Sequence, residues 1–338
     1  MLPFIQDYST KKTFFYSIIL PLSSDLKYFT AWLEALLMQS HQGSTEIIFV
    51  NNGVDYSIRT SLEKILQRYF LHLEKCDYTF YYINHPQKLR HYDSLNIILQ
   101  LVNGEWIYIS DYGSFLEKKT FVNFEKVIQT YTDLDLICGR FYQANAEAEI
   151  VKISPKLGVE GLVDKDFLSL FLFNNPLKSA PILYHQKIFK TLGYFNPELE
   201  QLIDWEFLRR ITQSSYKSWY YLPKYLAFSR SDLINKDVPI LPNNNNRLIW
   251  KMIKLGQQYY PAREQKLVKK SQYIKLFDLV NQLFLDKKVD QTFALLWDIV
   301  EYSELGDRLW LEVLNQSTLK YKREIYDVIV MFSRKLAA

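Results

Sequence analysis

The first third of the chain alternates short, unbroken apolar runs with segments of helical periodicity, and this alternation limits the fold more than any other feature of the sequence. Phe14–Leu20 (FFYSIIL) is stopped by Pro21, and Glu46–Val50 (EIIFV) is broken by the turn residues Asn51, Asn52 and Gly53. Thr79–Asn84 (TFYYIN) and Trp106–Ser110 (WIYIS) complete the set, the last ending at Asp111. Runs that are apolar at every position suit strands covered on both faces. Between them, Leu26, Phe29, Trp32, Leu33, Leu36 and Leu37 recur at helical spacing behind the candidate caps Ser24 and Asp25. Ser57–Leu73 and Asp93–Val102 read as two more helices, with Gly104 as the cap of the second. Strand–helix alternation with short turns predicts an α/β fold, a mostly parallel sheet flanked by helices. Ligands of such sheets bind beyond the carboxyl ends of the strands, here Pro21–Ser24, Asn51–Asp55 and Asp111–Ser114.

Residues 115–240 are less regular. Leu134–Cys138 and Tyr220–Phe228 read as strands, and Phe121–Tyr131, Gln186–Leu192 and Trp205–Thr212 as helices. The longest apolar runs, Phe14–Leu22 and Phe167–Phe173, are strand-sized and fall short of the roughly 18 residues that span a bilayer. Pro239–Asn246 (PILPNNNN) suits neither helix nor strand, which predicts a domain of residues 1–238, a linker of 239–246 and a helical domain of 247–338. In that last part Leu276, Leu279, Val280 and Leu283, then Phe293, Leu296, Trp297 and Val300, then Ile325, Val328, Ile329 and Phe332 mark helical faces.

Composition excludes several classes. Lys and Arg total 41 against 37 Asp and Glu, a net +4 that gives no footprint for nucleic acid. Cys76 and Cys138 can form neither a disulfide framework nor a CxxC metal site, and they read as core residues of a reducing compartment. Asp7, Lys11 and Lys12 precede the first apolar run, unlike a signal peptide, so the expected location is cytoplasmic, with membrane contact limited to a peripheral kind. His41, His72, His85, His91 and His185 lack zinc spacing, and GxGxxG, GK[ST] and GxSxG are missing from the sequence.

Four segments, taken in order, resemble the family-2 glycosyltransferases. SIILPL (17–22) is similar to the family's opening strand, EIIFVNNG (46–53) to its E-I-I-V-V-D-D-G-S, and SLNIILQLVNGEWIYISDYG (94–113) to its A-R-N and G-E-W-I-x-F-L-D-x-D segment. IFKTLGYFNPELEQLIDWEFLRR (188–210) is similar to the G-G-F-D and E-D-W-D segment. The resemblance covers most of residues 14–230 and leaves the terminal helices outside it. It implies a GT-A, Rossmann-like fold with an added C-terminal all-α region. It also implies inverting transfer of a sugar from a nucleotide diphosphate, most simply a UDP-sugar, to a glycan, lipid-linked or polypeptide acceptor.

On this resemblance Asp204 takes the place of the general base, and its other reading is the N-cap of helix 205–212. Trp205 and Phe207 beside it are expected to desolvate the carboxylate and raise its pKa. Pro21, Leu22, Ser23, Asn52, Asp111, Tyr112 and Gly113 are expected to line the nucleotide-sugar slot. Arg210 matches the family's helix arginine and alternatively pairs with Glu206. Asp111 is the first acid of the D-x-D motif that holds Mn²⁺ or Mg²⁺, but Gly113 replaces the second acid and Ser114 follows it. The family's histidine after the last strand is replaced by Ser229-Arg230-Ser231, and Arg230 can offset diphosphate charge in its stead. Leu95 stands for the arginine of A-R-N, and Asn96 is kept. The aromatics Trp106, Tyr108, Tyr112, Trp205, Trp219, Tyr220 and Tyr221 are expected to offer rings to a base or sugar. These departures also admit a second reading, a catalytically silent member that uses the fold for binding or scaffolding.

Overall fold

The computed structural model describes residues 5–6, 12–23, 26–41, 43–53, 57–111, 113–145, 149–173, 175–216, 218–230, 262–285, 287, 292–293, 295–297, 300 and 309–337. The expected linker 239–246, the cap residues Ser24 and Asp25, and Tyr112 lie outside them. By internal contacts the chain divides into two units. The first is Met1–Leu168, Pro176–Pro197 and Ser214–Asp237; the second is Ser169–Asn175, Glu198–Gln213 and Val238–Ala338.

The first unit is built on one mixed sheet, eleven-stranded among the described residues. Its strands are β1 (Ile5–Gln6), β2 (Phe14–Pro21), β3 (Thr45–Asn52), β4 (Tyr78–His85), β5 (Gly104–Ile109) and β6 (Phe115–Leu116). They continue with β7 (Leu136–Ala144), β8 (Ile150–Ile153), β9 (Gly161–Leu162), β10 (Ile182–His185) and β11 (Trp219–Arg230). The order is β1-β4-β3-β2-β5-β10-β7-β11-β6, with β8 on β7 and β9 on β11. The four apolar runs form the parallel block β4-β3-β2-β5. β10 enters antiparallel between β5 and β7, and β11 pairs parallel with β7. β7 and β11 therefore run in the same direction as β2–β5. Pro21, Asn52, His85, Ile109, Ala144 and Arg230 consequently end their strands on one side of the sheet.

Helices α1 (Phe29–Leu37), α2 (Ser57–Arg68), α3 (Phe70–Leu73), α4 (His91–Leu101), α5 (Thr120–Thr130), α6 (Lys165–Phe173) and α7 (Gln186–Leu192) follow the strands. The helix expected over Ser57–Leu73 breaks at Tyr69 into α2 and α3. Gly104 opens β5 instead of capping α4, because only a residue without a side chain fits against the Ser17 backbone. The Phe167–Phe173 run is helical: the Asp164 carboxylate accepts the Phe167 N–H at 2.8 Å and starts α6. One core joins Tyr16, Ile18 and Leu20 of β2 and Ile47 and Phe49 of β3 to Trp32, Leu33 and Leu36 of α1, Leu62 and Leu66 of α2, and Phe121 and Phe124 of α5.

In the second unit a 3₁₀ turn, Pro197–Leu202, leads into α8 (Ile203–Gln213). Its terminal part contains α9 (Ala262–Leu285), α10 (Leu309–Gln316) and α11 (Lys322–Ala337). These three share a separate core around Tyr273, Phe277, Val280, Val313, Ile325 and Ile329. No helix of the described residues is long and apolar enough to cross a membrane.

Candidate functional site

The carboxyl edge of the first unit's sheet gathers most of the expected residues. Pro21 still pairs with Val50, and Leu22 donates its N–H to the Val50 carbonyl at 2.9 Å while its side chain is buried. Leu22 thus offers main chain alone to the edge, and Ser23 is half-buried beside it. At the end of β5 the Ser110 N–H donates to Ile19, and the Trp32 indole donates to the Ser110 hydroxyl at 2.9 Å. Asp111, the next residue, is exposed. A tight turn follows, with the Ser114 N–H on the Asp111 carbonyl at 3.0 Å and Gly113 at φ 86°. Burial, with Asp111 nearby, pushes the Tyr108 phenol far above its ordinary range.

Asn52 is committed to the protein's own backbone. Its Nδ2 donates to the Leu89 carbonyl at 2.9 Å, and its Oδ1 accepts the Leu89 N–H at 2.8 Å. The neighbouring Gly53, at φ 68°, lets the Lys88 backbone approach so closely that a Cβ would sit 2.5 Å from Lys88 N. Asn52 and Gly53 therefore dock the basic loop 86–90 onto the end of β3. His85, which ends β4 under this loop, is buried; its Nε2 has no hydrogen-bond partner among the described residues, and burial lowers its pKa.

Arg230 closes β11 and is buried. Its guanidinium lies 4.5 Å from the ring centroid of Tyr28, and Lys27 Nζ lies 5.0 Å from the same centroid. Tyr28 meets Phe115 edge-on at 6.4 Å, and Phe115 pairs with Phe228 across β6 and β11. Since Phe115 directly follows the Asp111–Ser114 turn, both cations flank the strand edge that Asp111 ends. Lys27 and Tyr28 were not among the residues expected from the sequence; the only signal was their place just before a helix that follows the first strand.

Asp204 and Arg210 stand on α8, in the second unit. The preceding 3₁₀ turn puts Asp204 inside the first helical turn, so it is not the N-cap, although a carboxylate there suits the helix dipole. Asp204 is exposed, Phe207 is buried, and the half-buried Trp205 donates its indole N–H to Phe171 at 2.7 Å. Neither ring encloses the exposed Asp204, so the expected desolvation of its carboxylate is not found. Arg210 pairs with Glu206 through two contacts of 2.9 and 2.7 Å and lies 5.1 Å from the Phe207 ring centroid.

The expected aromatic lining is corrected at five positions. Trp106, Tyr108, Trp219, Tyr220 and Tyr221 are all buried in the sheet. The last three begin β11, opposite Leu136–Cys138, at the end away from Arg230.

Donor chemistry tests the metal expectation. Asp111 supplies one carboxylate, Gly113 none, and Ser114 a hydroxyl on a buried residue. Among the described residues no three His, Cys, Asp or Glu side chains form a group that could hold a metal ion. This set is too small to hold a hard dication by itself, since such an ion takes about six oxygen ligands and the rest would have to come from phosphate oxygens or water.

No known family profile matches the sequence, and no curated protein matches it. Solved structures do match. TarS of S. aureus, residues 1–349, superposes with a TM-score of 0.66 at 14% identity, over 95% of this chain and 91% of that one. The same protein in complex with UDP-GlcNAc gives 0.65 at 15% identity with the same coverage. The mannosyltransferase PcManGT from Pyrobaculum calidifontis, in complex with GDP-Man and Mn²⁺, gives 0.52 at 10% identity over 99% of this chain and 88% of that one. The chain shares its fold with glycosyltransferases. That agreement covers the mixed α/β sheet flanked by helices together with the C-terminal helical region.

Proposed function

We propose that the protein is an inverting glycosyltransferase that moves a sugar from a nucleotide diphosphate, most simply a UDP-sugar, to a glycan, lipid-linked or polypeptide acceptor. The observation that supports this reading is that Pro21–Ser23, Asn52, Asp111 and Arg230 stand at or just beyond the carboxyl ends of strands along one edge of a sheet that shares a glycosyltransferase fold. Solved neighbours of that fold hold UDP-GlcNAc and GDP-Man.

In this reading the bond between the anomeric carbon and the β-phosphate oxygen breaks, its electron pair leaving with the diphosphate. The acceptor oxygen forms the new bond from the opposite face and gives its proton to Asp204. The exposure of Asp204 suits a group that meets an incoming acceptor. Asp111 and Gly113 line the donor slot, and Asn52 supports it through loop 86–90. Arg210, already paired with Glu206, orients α8 around the base.

The test is donor turnover. UDP-GlcNAc and other UDP-sugars are expected to be hydrolysed slowly without acceptor, and Asp204→Asn to lower that rate by at least about 100-fold while UDP affinity stays within a few-fold. Turnover unchanged in Asp204→Asn would remove Asp204 from the mechanism. Gly113 in place of an acid favours a second reading, a silent fold used for binding. Nucleotide binding with no turnover of any donor would support that one.

A further inference from the structure

We infer that this edge binds the diphosphate of its nucleotide without a resident divalent cation, with Arg230 and Lys27, both held at the Tyr28 ring, supplying the positive charge. The inference rests on the proposed nucleotide-sugar reading and adds to it the identity of the groups that hold the leaving diphosphate.

Two observations meet here. The turn after β5 offers a single carboxylate, and its Gly113 holds a left-handed conformation, φ 86°, that contributes main chain alone. On the same edge two cations are gathered on one aromatic ring, at 4.5 and 5.0 Å from its centroid. A guanidinium has five N–H donors and no lone pair, so it cannot ligate a metal; near a metal site its charge repels the ion. Toward two phosphate oxygens the same planar fork donates in parallel, which makes it a good partner for a diphosphate.

Position strengthens the assignment. Arg230 is buried, and a charge removed from bulk water acts more strongly on a neighbouring phosphate than an exposed one. The Tyr28 ring packs against the guanidinium, and Phe115 packs edge-on against Tyr28. When the donor bond breaks, the negative charge that develops on the β-phosphate then meets fixed cations that need no reorganisation.

Calorimetric titration of the full chain with UDP and GDP, in EDTA and in Mn²⁺, tests the inference. UDP is expected to bind in EDTA with an affinity within about threefold of that in Mn²⁺. R230Q is expected to weaken UDP at least tenfold in EDTA while uridine, which lacks phosphate, binds as it does to the unchanged protein. K27Q is expected to weaken UDP by a smaller factor. UDP or GDP binding that disappears in EDTA and returns with Mn²⁺ overturns the inference and leaves the nucleotide reading standing. R230Q binding UDP like the unchanged chain overturns it as well. If R230Q does not fold, judged by circular dichroism, the EDTA comparison and K27Q still decide. Failure of both nucleotides to bind in either condition removes the nucleotide reading and the inference with it.

Discussion

Glu46 Oε1 accepts three hydrogen bonds at the start of the sheet, from the Ser17 hydroxyl, the Asn103 N–H at 2.7 Å and the Gly104 N–H at 3.2 Å. Ser17, Glu46 and Gly104 come from three separate segments of the family resemblance, so what those segments share at these positions is a buried fastening between β2, β3 and β5. Asn96 repeats the pattern: its amide donates to the Phe195 carbonyl and accepts the Phe195 N–H, tying the third segment to the fourth. Such residues are legible as motif positions, but their partners lie 57 and 99 residues away, beyond the reach of any local pattern. Gly104→Ala tests the fastening. A Cβ there would stand 2.3 Å from Ser17 Oγ and 2.4 Å from Ser17 N, backbone that cannot swing aside. Denaturant titration should show a loss of about 3 kcal/mol. Unchanged stability would mean that β2 and β5 separate freely at this point.

Among the elements, the four continuous runs are strands covered on both faces, and their β-branched and aromatic content with bounding turn residues makes that much plain in the sequence. Short elements are less legible. β8, β9 and β10 contain two to four residues each and take their pairing from neighbours already in place. α6 was hidden in a strand-sized run because its start depends on the Asp164 side chain, three residues before Phe167. The loop between β4 and α4 is the clearest case of a site element whose role only the fold reveals. HPQKLRH reads as a basic surface loop, yet Asn52 holds its Leu89 by both main-chain groups. Asn52→Ala should cost about 1–3 kcal/mol, because it leaves a donor and an acceptor without their partner. Hydrogen exchange at Leu89 should accelerate with it, since that N–H loses its acceptor. If exchange there is unaltered, the loop is held by other contacts and Asn52 stands free to meet a ligand.

At the scale of the whole molecule, a large part of the aromatic excess of 25 Tyr, 22 Phe and 7 Trp is buried in the cores, and one part of it sets how the fold answers to pH. His41 is enclosed by Tyr16, Tyr78 and Phe121, with ring centroids 5.3, 5.6 and 4.8 Å away, and its Nε2 lies 2.9 Å from Thr45 Oγ1. Burial lowers its pKa from 6.5 to about 4. The unfolded chain therefore takes up a proton in a range where the folded chain refuses it, and stability must fall as pH drops from about 6.5 toward 4. His85 and His185 are lowered too, by burial first and for His185 also by Lys187, so they act in the same direction. Asp133 and Glu312 are lowered below ordinary carboxylate values by Lys187 and Lys270, and their contribution is lost only at still more acid pH. For His41 the shift corresponds to roughly 2–3 kcal/mol between neutral pH and pH 4. Denaturant titrations at pH 7.5 and 5.0 should show the unchanged protein losing stability in acid and His41→Gln losing distinctly less. An equal loss in both would mean that His41 accepts its proton within the fold, and that the ring cage around it opens at little cost.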